Sequence, residues 1–278
     1  MPNAEHPPEL TKLTLLVILC LASTAAAGAN PSGKTEPAVS GWQNSTTAPK
    51  ASKTLSAQDL QFGEQQLQKM RQDRPQLAKI LFKNGPIWPW AVRQFAGEAA
   101  NQRIYWNSNE LSDKGFEYDS DHSYPTTARL GCIRLRKKDE HGKELAPDRL
   151  LAAFVFECHN ISNGPAFDRV YETSLTGKLS KNQFIEQNTK IEFEATRKTA
   201  DFYRRVYLPL AQKEHYATNP LYWEAESPTT YAAWIGQYKD PQKYPWSYWG
   251  KYYDESIVPY LKSVKNYDAS KASGKAKP

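Results

Sequence analysis

The chain has 278 residues, of which 40% are hydrophobic and 12% aromatic, so it is long enough and apolar enough to form a buried core. Its formal charge is +6, but the excess of Lys and Arg lies in the terminal segments, and the body is almost neutral. A nucleic-acid-binding face concentrates positive charge on the folded body. Nucleic acid is therefore excluded as a partner.

The N-terminus has the pattern of a secretory signal peptide. An apolar run from Leu13 to Ala22 is followed by small residues, with cleavage expected near Ala27 to Ala29. We predict that residues 1–27 are a signal peptide and that the protein is exported, either secreted or periplasmic. The alternative is an uncleaved anchor, the one route to a membrane, although the run is shorter than the ~20 apolar residues of a bilayer span.

Three further segments follow from composition. Residues 28–55 are rich in Ala, Ser, Thr, Pro and Lys and hold too little apolar surface to offset the entropy of ordering, which predicts a disordered linker. Residues 56–261 carry the apolar content and are predicted to form one globular domain. Residues 262–278 are predicted to be a basic, disordered tail.

The first half of the domain reads as a backing helix followed by strands. Ser56 is expected to cap a helix that runs through Leu67 to Leu81 at helical spacing. Residues 103–107 and 127–136 are predicted strands. The polar stretch 107–123 between them is interpreted as a solvated loop, and a calcium site at its Asp113, Asp119 and Asp121 is the less favoured alternative.

The central prediction is a helix over residues 147–162. Pro147 suits a first helical position, Asp148 suits the positive end, and Asn163-Gly164-Pro165 supplies a stop. The segment is apolar enough to be buried. Buried polar side chains need partners or a purpose, so the polar residues that it carries are candidate site residues: Glu157, His159 and Asn160.

Helices dominate the second half. A short helix over 166–175 precedes a long one from Ser180 to about Leu208, which Pro209 is expected to stop. A stretch rich in Trp and Tyr then contains two short predicted helices, 229–237 and 254–262. The fold class is therefore predicted as α+β: a helix-dominated single domain with a small antiparallel sheet.

Residues 156–160, Phe-Glu-Cys-His-Asn, can be aligned with the zinc-protease pattern His-Glu-x-x-His. Phe156 and Asn160 then stand at the two ligand positions and Glu157 at that of the general base. The order of elements also resembles that of the zincin metallopeptidases, in which a glutamate on a following helix is the third zinc ligand. The resemblance implies that Glu194, or its neighbour Glu192, occupies that position.

The departures from the motif imply a zincin-like domain that has lost metal-dependent catalysis, because phenylalanine cannot ligate zinc and asparagine is a weak donor. We expect no metal and no cofactor, and a binding or scaffolding role toward a protein or a cell-envelope polysaccharide. One alternative is an active hydrolase that uses Glu157 as general acid or base. In the absence of a metal we expect Glu157 to be structural, with a cation or hydrogen-bond donors as its partner, for example a buried arginine such as Arg197.

The remaining candidates are aromatic and cysteine residues. Exposed Trp and Tyr rings stack on sugars, so Trp246, Trp249 and Tyr253 are the candidates for a polysaccharide-binding surface, although large aromatic rings more often pack in a core. His159 is expected to be structural. Cys132 and Cys158 form a disulfide or remain two buried thiols, and the sequence leaves both open.

Overall fold

A computed structural model describes residues 14–17, 54–109, 120–123, 130–139 and 141–272. The predicted linker lies outside these residues except for its last two positions, and so do Asp113 and Asp119 of the considered calcium site. The α+β fold class with a predominance of helix is confirmed.

Four strands form one sheet, and its two inner strands contact the central helix. The four strands are β1 (Thr14–Val17), β2 (Ile104–Trp106), β3 (Ser120–Ser123) and β4 (Gly131–Leu135). The order across the sheet is β1-β3-β4-β2. Strand β3 is antiparallel to β1 and β4, whereas β2 runs parallel to β4, so the sheet is mixed and the prediction of an antiparallel sheet was wrong.

Helices make up most of the rest of the described chain. They are α1 (Ala57–Asp73), α2 (Ile87–Ala96), α3 (Pro147–Ser162), α4 (Gly164–Leu175), α5 (Lys181–Phe202), α6 (Leu208–Glu214), α7 (Tyr231–Ile235), α8 (Trp246–Tyr252) and α9 (Val258–Ala272). Short 3₁₀ turns cover Pro75–Lys79 and Pro220–Trp223, and π turns cover Tyr203–Tyr207 and Tyr253–Ile257. In the part of the chain described, no helix is both long enough and apolar enough to cross a membrane.

Helix α1 begins where the sequence predicted. The Ser56 hydroxyl accepts a hydrogen bond from the Asp59 backbone N–H at 3.1 Å, and the Asp59 carboxylate accepts one from the Ser56 N–H at 3.0 Å. This reciprocal pair satisfies two N–H groups that a helix start otherwise leaves without partners. Asp59 also binds Arg103 Nε at 2.8 Å, which ties the start of α1 to the residue before β2.

Two hydrophobic clusters share helix α3. The larger one joins α1, α2 and the inner face of the sheet to fully buried α3 residues such as Leu151 and Phe154. The smaller one joins Phe156 to α4, α5 and the aromatic segment, with Phe184 and Trp249 at its centre. Because α3 packs against both, its side chains are buried around almost the whole circumference.

The long helix does not stop at Pro209. A π turn over Tyr203–Tyr207 follows α5, and Pro209 lies in the first turn of α6, which continues to Glu214. Proline is tolerated in a first turn because its missing N–H has no helical partner there. The prediction that the helix ends at Leu208 was therefore wrong.

Elements at both ends of the described chain lie in segments that were predicted to be outside the domain. Helix α9 continues past residue 261 to Ala272, and the disorder predicted for the tail stays a prediction. An established helix adds residues at little cost, which explains the continuation beyond residue 261. Strand β1 lies inside the predicted signal peptide, and its cleavage would remove that strand from the sheet. Export itself stays a prediction.

Candidate functional site

Helix α3 carries the candidate site and has the predicted bounds. Pro147 is in its first turn, and the buried Asp148 carboxylate accepts hydrogen bonds from the backbone N–H groups of Arg149 at 2.9 Å and Asn219 at 2.8 Å. Helix α3 ends before Asn163, and the chain continues directly into α4, with Pro165 in the first turn of that helix. Both ends of α3 are thus fixed, which fixes the direction of the side chains between them.

Glu157 is fully buried, and its partners come from strand β3. Its Oε1 accepts a hydrogen bond from the Ser120 hydroxyl at 2.5 Å, and its Oε2 is in hydrogen-bond contact with His122 Nδ1. Ser120 and His122 are two residues apart on a strand, so both side chains face α3. The carboxylate is therefore held on both oxygens within the protein.

Arg197 is not the partner of Glu157. It is exposed, and its guanidinium donates to the Thr229 carbonyl oxygen. The sequence-based interpretation correctly expected a bonded Glu157 but chose the wrong residue. The cause is that residues 120–123 were interpreted as part of a solvated loop.

The third aspartate of the considered calcium site is also a strand residue. Asp121 is buried and forms an ion pair with Arg134, its cross-strand neighbour on β4, with Nε to Oδ1 at 2.6 Å. Opposite charges that face each other across two strands stabilise the pairing. Throughout the described ranges, no group of three His, Cys, Asp or Glu side chains is placed to hold a metal ion.

Helix α5 brings Glu192, not Glu194, toward the site. Glu192 is 1% exposed, and its Oε2 accepts hydrogen bonds from Tyr244 Oη and from Trp249 Nε1, the latter at 3.2 Å. Burial, with a smaller contribution from the negative charge of Glu157, raises the pKa of Glu192 to about 8, although the hydrogen bonds from Tyr244 and Trp249 act to lower it. Glu194 is exposed, so the choice of Glu194 for the third-ligand position was wrong.

The residues at the two zinc-ligand positions of the motif, Phe156 and Asn160, are both buried. Phe156 is 7% exposed and packs in the smaller hydrophobic cluster with Phe184 and Trp249. Asn160 is fully buried, and within the described structure neither its Oδ1 nor its Nδ2 has a hydrogen-bond partner. Glu192 Oε1 is without a partner in the same sense. The interior beside α3 therefore contains polar atoms that remain unsatisfied.

The next two residues of α3, Cys158 and His159, are in surroundings that keep both side chains uncharged. Burial, and secondarily the charge of Lys198, lowers the pKa of His159 to about 4, so the ring is neutral at physiological pH. Cys158 and Cys132 are both buried and do not form a disulfide with each other, so of the two alternatives the structure has two buried thiols. Burial raises the pKa of the Cys158 thiol well above its ordinary range, which makes it a poor nucleophile.

The three aromatic candidates do not form an exposed row. Trp249 is 2% exposed and belongs to the interior with Glu192. Tyr253 is half-buried, and its hydroxyl donates to the Leu179 carbonyl oxygen at 3.0 Å. Trp246 is half-buried and lines a surface groove. The aromatic segment therefore covers α5, and of the three residues Trp246 is the one that contributes to an open surface.

Sequence reasoning missed Ser120, His122 and Tyr244. The alternation of Ser120 and His122 around Asp121 was an available signal, since a strand places alternate residues on one face. Tyr244 carried no comparable signal, because it is one of many tyrosines in its segment. Comparisons with protein-family models, with curated proteins and with solved structures found no match to this chain.

Proposed function

We propose that this protein is an exported zincin-like domain that has lost metal-dependent catalysis and acts as a binding or scaffolding component. The observation that carries the proposal is the burial and hydrogen bonding of Glu157, the residue at the general-base position. Glu157 is inaccessible to solvent, and both of its carboxylate oxygens are engaged by Ser120 and His122. A general base must reach the proton that it removes, and this one is closed off from any substrate.

The arrangement around Glu157 supports the zincin-like part of the proposal. Strands β3 and β4 and helix α5 all contact α3, and Glu192 on α5 is close enough to Glu157 for their charges to interact. The resemblance implies a following helix that brings a glutamate toward the helix with the general base. The contact between α5 and α3 and the spacing of the motif support the proposal in this respect.

The same arrangement supports the loss of catalysis. Zinc in a catalytic site is held by three protein ligands at about 2.0 to 2.3 Å. Here the first ligand position holds the ring of Phe156, which packs against aromatic side chains, and the second holds an amide. Glu192 already accepts hydrogen bonds from Tyr244 and Trp249.

The proposal is tested by metal analysis of the full chain. After dialysis against micromolar zinc and removal of free metal, elemental analysis is expected to find far less than one zinc per chain. Peptidase and glycosidase substrates are expected to stay intact, with equal background for wild type and for Glu157→Gln. The exposed Glu194→Gln is the matched control.

Two results would overturn the proposal. One is stoichiometric zinc in the wild-type chain that Glu192→Gln removes and Glu194→Gln does not. The other is hydrolysis of any substrate that is abolished by Glu157→Gln in a folded variant, which would favour the active-hydrolase alternative.

A further inference from the structure

A groove of about 540 Å³ lies on the surface beside the closed interior, between the first turn of α5 and helix α8 with the π turn that follows it. Its size falls within the roughly 300–1,000 Å³ of ordinary ligand pockets. Trp246, Asn182 and Ser247 are among the residues that line it. None of these three takes part in the Glu157 and Glu192 interactions.

Trp246 is the aromatic residue of the groove, and its ring is fixed. The ring N–H donates to the Tyr238 carbonyl oxygen at 2.7 Å, and the half-buried ring packs at the edge of the smaller hydrophobic cluster. A side chain that is already held in place loses little conformational freedom when a ligand stacks on it.

The charges of the groove are balanced in pairs. Lys181 Nζ binds Asp254 Oδ2 at 2.6 Å, and Lys251 Nζ lies 3.8 Å from Glu255 Oε1. A site for a polyanion has an excess of Lys or Arg. The lining of this groove has none, which favours an electrically neutral ligand over a polyanion.

A small residue on α8 leaves room for the first of these pairs. A side-chain carbon at Gly250 would lie 3.1 Å from Lys181 Cε, a tight contact that glycine avoids. Lys181 and Asp254 both line the groove. Asn182 and Ser247 are exposed beside it and offer an amide and a hydroxyl.

We propose that this groove binds a neutral polysaccharide. A sugar ring has C–H groups on its face, which are attracted to the negative face of an aromatic ring, and hydroxyls on its rim, which need amide, hydroxyl and carboxylate partners. The groove supplies one fixed ring and those partners. A proline-rich peptide docks in a groove lined by several aromatic rings, and the described lining has Trp246 alone.

The inference rests on the proposed function in one respect, since it names the partner of a binding domain. The test is affinity electrophoresis and calorimetry of the full chain with soluble neutral glucan, mannan, galactan and xylan. Polygalacturonate and a proline-rich peptide serve as comparison ligands. At least one neutral glycan is expected to bind, with an affinity that changes less than about twofold between 50 and 300 mM salt, because no counterions are released.

Variants locate the site. Trp246→Ala is expected to weaken binding about tenfold or more through loss of the stacked ring. The double variant Asn182→Ala with Ser247→Ala changes exposed residues only, so it tests the groove even where Trp246→Ala fails to fold. Tyr105→Ala removes an exposed aromatic ring on β2, outside the groove, and is expected to bind as wild type does.

The outcomes separate the two proposals. Binding confined to polygalacturonate or to the peptide, no binding to any neutral glycan, or binding that is unaffected by the groove variants would overturn the groove inference and leave the metal and hydrolysis results as they stand. Cleavage of a bound glycan that is lost in Glu157→Gln would overturn the non-catalytic proposal while retaining the groove.

Discussion

Single residues on α3 and α5 show how a carboxylate is kept inside this protein. Glu157 is matched by a hydroxyl and an imidazole from β3, so both of its oxygens have partners. Glu192 is matched on one oxygen only, by Tyr244 and Trp249. Burial disfavours the charged form of a carboxyl, and hydrogen bonds to that form offset the effect. For Glu192 the effect of burial exceeds that of the hydrogen bonds from Tyr244 and Trp249, so its pKa is raised.

Removal of the Glu157 carboxylate is expected to destabilise the fold. Glu157→Ala leaves the Ser120 hydroxyl and His122 Nδ1 without their acceptor in the interior, which costs about 1–3 kcal/mol of unfolding free energy. Glu157→Gln retains an acceptor oxygen and should cost less. Urea unfolding of both variants measures the difference, with Glu194→Ala expected within ~0.5 kcal/mol of wild type. Equal stability of Glu157→Ala and wild type would contradict a structural role.

At the scale of elements, the backing helix approaches its neighbour closely. Helices α1 and α2 cross at Gly63, where a side-chain carbon would lie 2.2 Å from the carbonyl oxygen of Val92. That distance is far inside van der Waals contact, and the obstructing atom belongs to the backbone. The crossing is therefore possible only with glycine at this position.

Gly63→Ala is expected to destabilise the domain by about 1–3 kcal/mol, because α1 and α2 must separate. In a helix without this contact, the same change would instead stabilise by about 1 kcal/mol through helix propensity. The sign of the change in unfolding free energy, measured with urea, therefore shows whether the close contact at Gly63 exists. Gln65→Ala, an exposed change on the same helix, is the control and should leave stability nearly unchanged.

At the scale of the whole molecule, the buried Glu192 and the half-buried His159 have pKa shifts with opposite effects on stability. The pKa of Glu192 rises from 4.5 to about 8, so the folded state holds a proton there that the unfolded state loses above pH 4.5. The pKa of His159 falls from 6.5 to about 4, so the unfolded state holds a proton there that the folded state lacks. Between pH 4.5 and 6.5 these contributions cancel.

Above pH 6.5 His159 is neutral in both states, and only the Glu192 contribution remains. The unfolding free energy is then expected to fall by about 2 kcal/mol between pH 6.5 and 8, because the folded state binds one more proton and each pH unit changes the balance by about 1.4 kcal/mol. Urea unfolding at pH 5.5, 6.5 and 8.5 measures this. Glu192→Gln should remove the decline and Glu194→Gln should retain it; a decline of equal size in both would refute the assignment to Glu192.

The sequence by itself determined the parts of this protein that depend on local patterns. Proline and asparagine at the ends of α3, the capping pair at Ser56, and the periodic apolar residues of α1 and α5 are signals within a few residues of the structure that they specify. The α+β class and the burial of Glu157 followed from these patterns. The spacing of Phe156, Glu157 and Asn160 likewise followed from one helix.

Only the tertiary structure decided which side chains meet. Ser120 and His122 reach Glu157 across 37 and 35 residues, and Tyr244 reaches Glu192 across 52. The sequence of β3 is polar and does not look like that of a buried strand. Its polar side chains are stable in the interior because groups on α3 and β4 bind them in place of water. Likewise, the direction of Glu192 and Glu194 depends on the rotation of α5 against α3. The physical reason is that a buried polar group is stable only through its partner, and that partner is set by packing between distant segments.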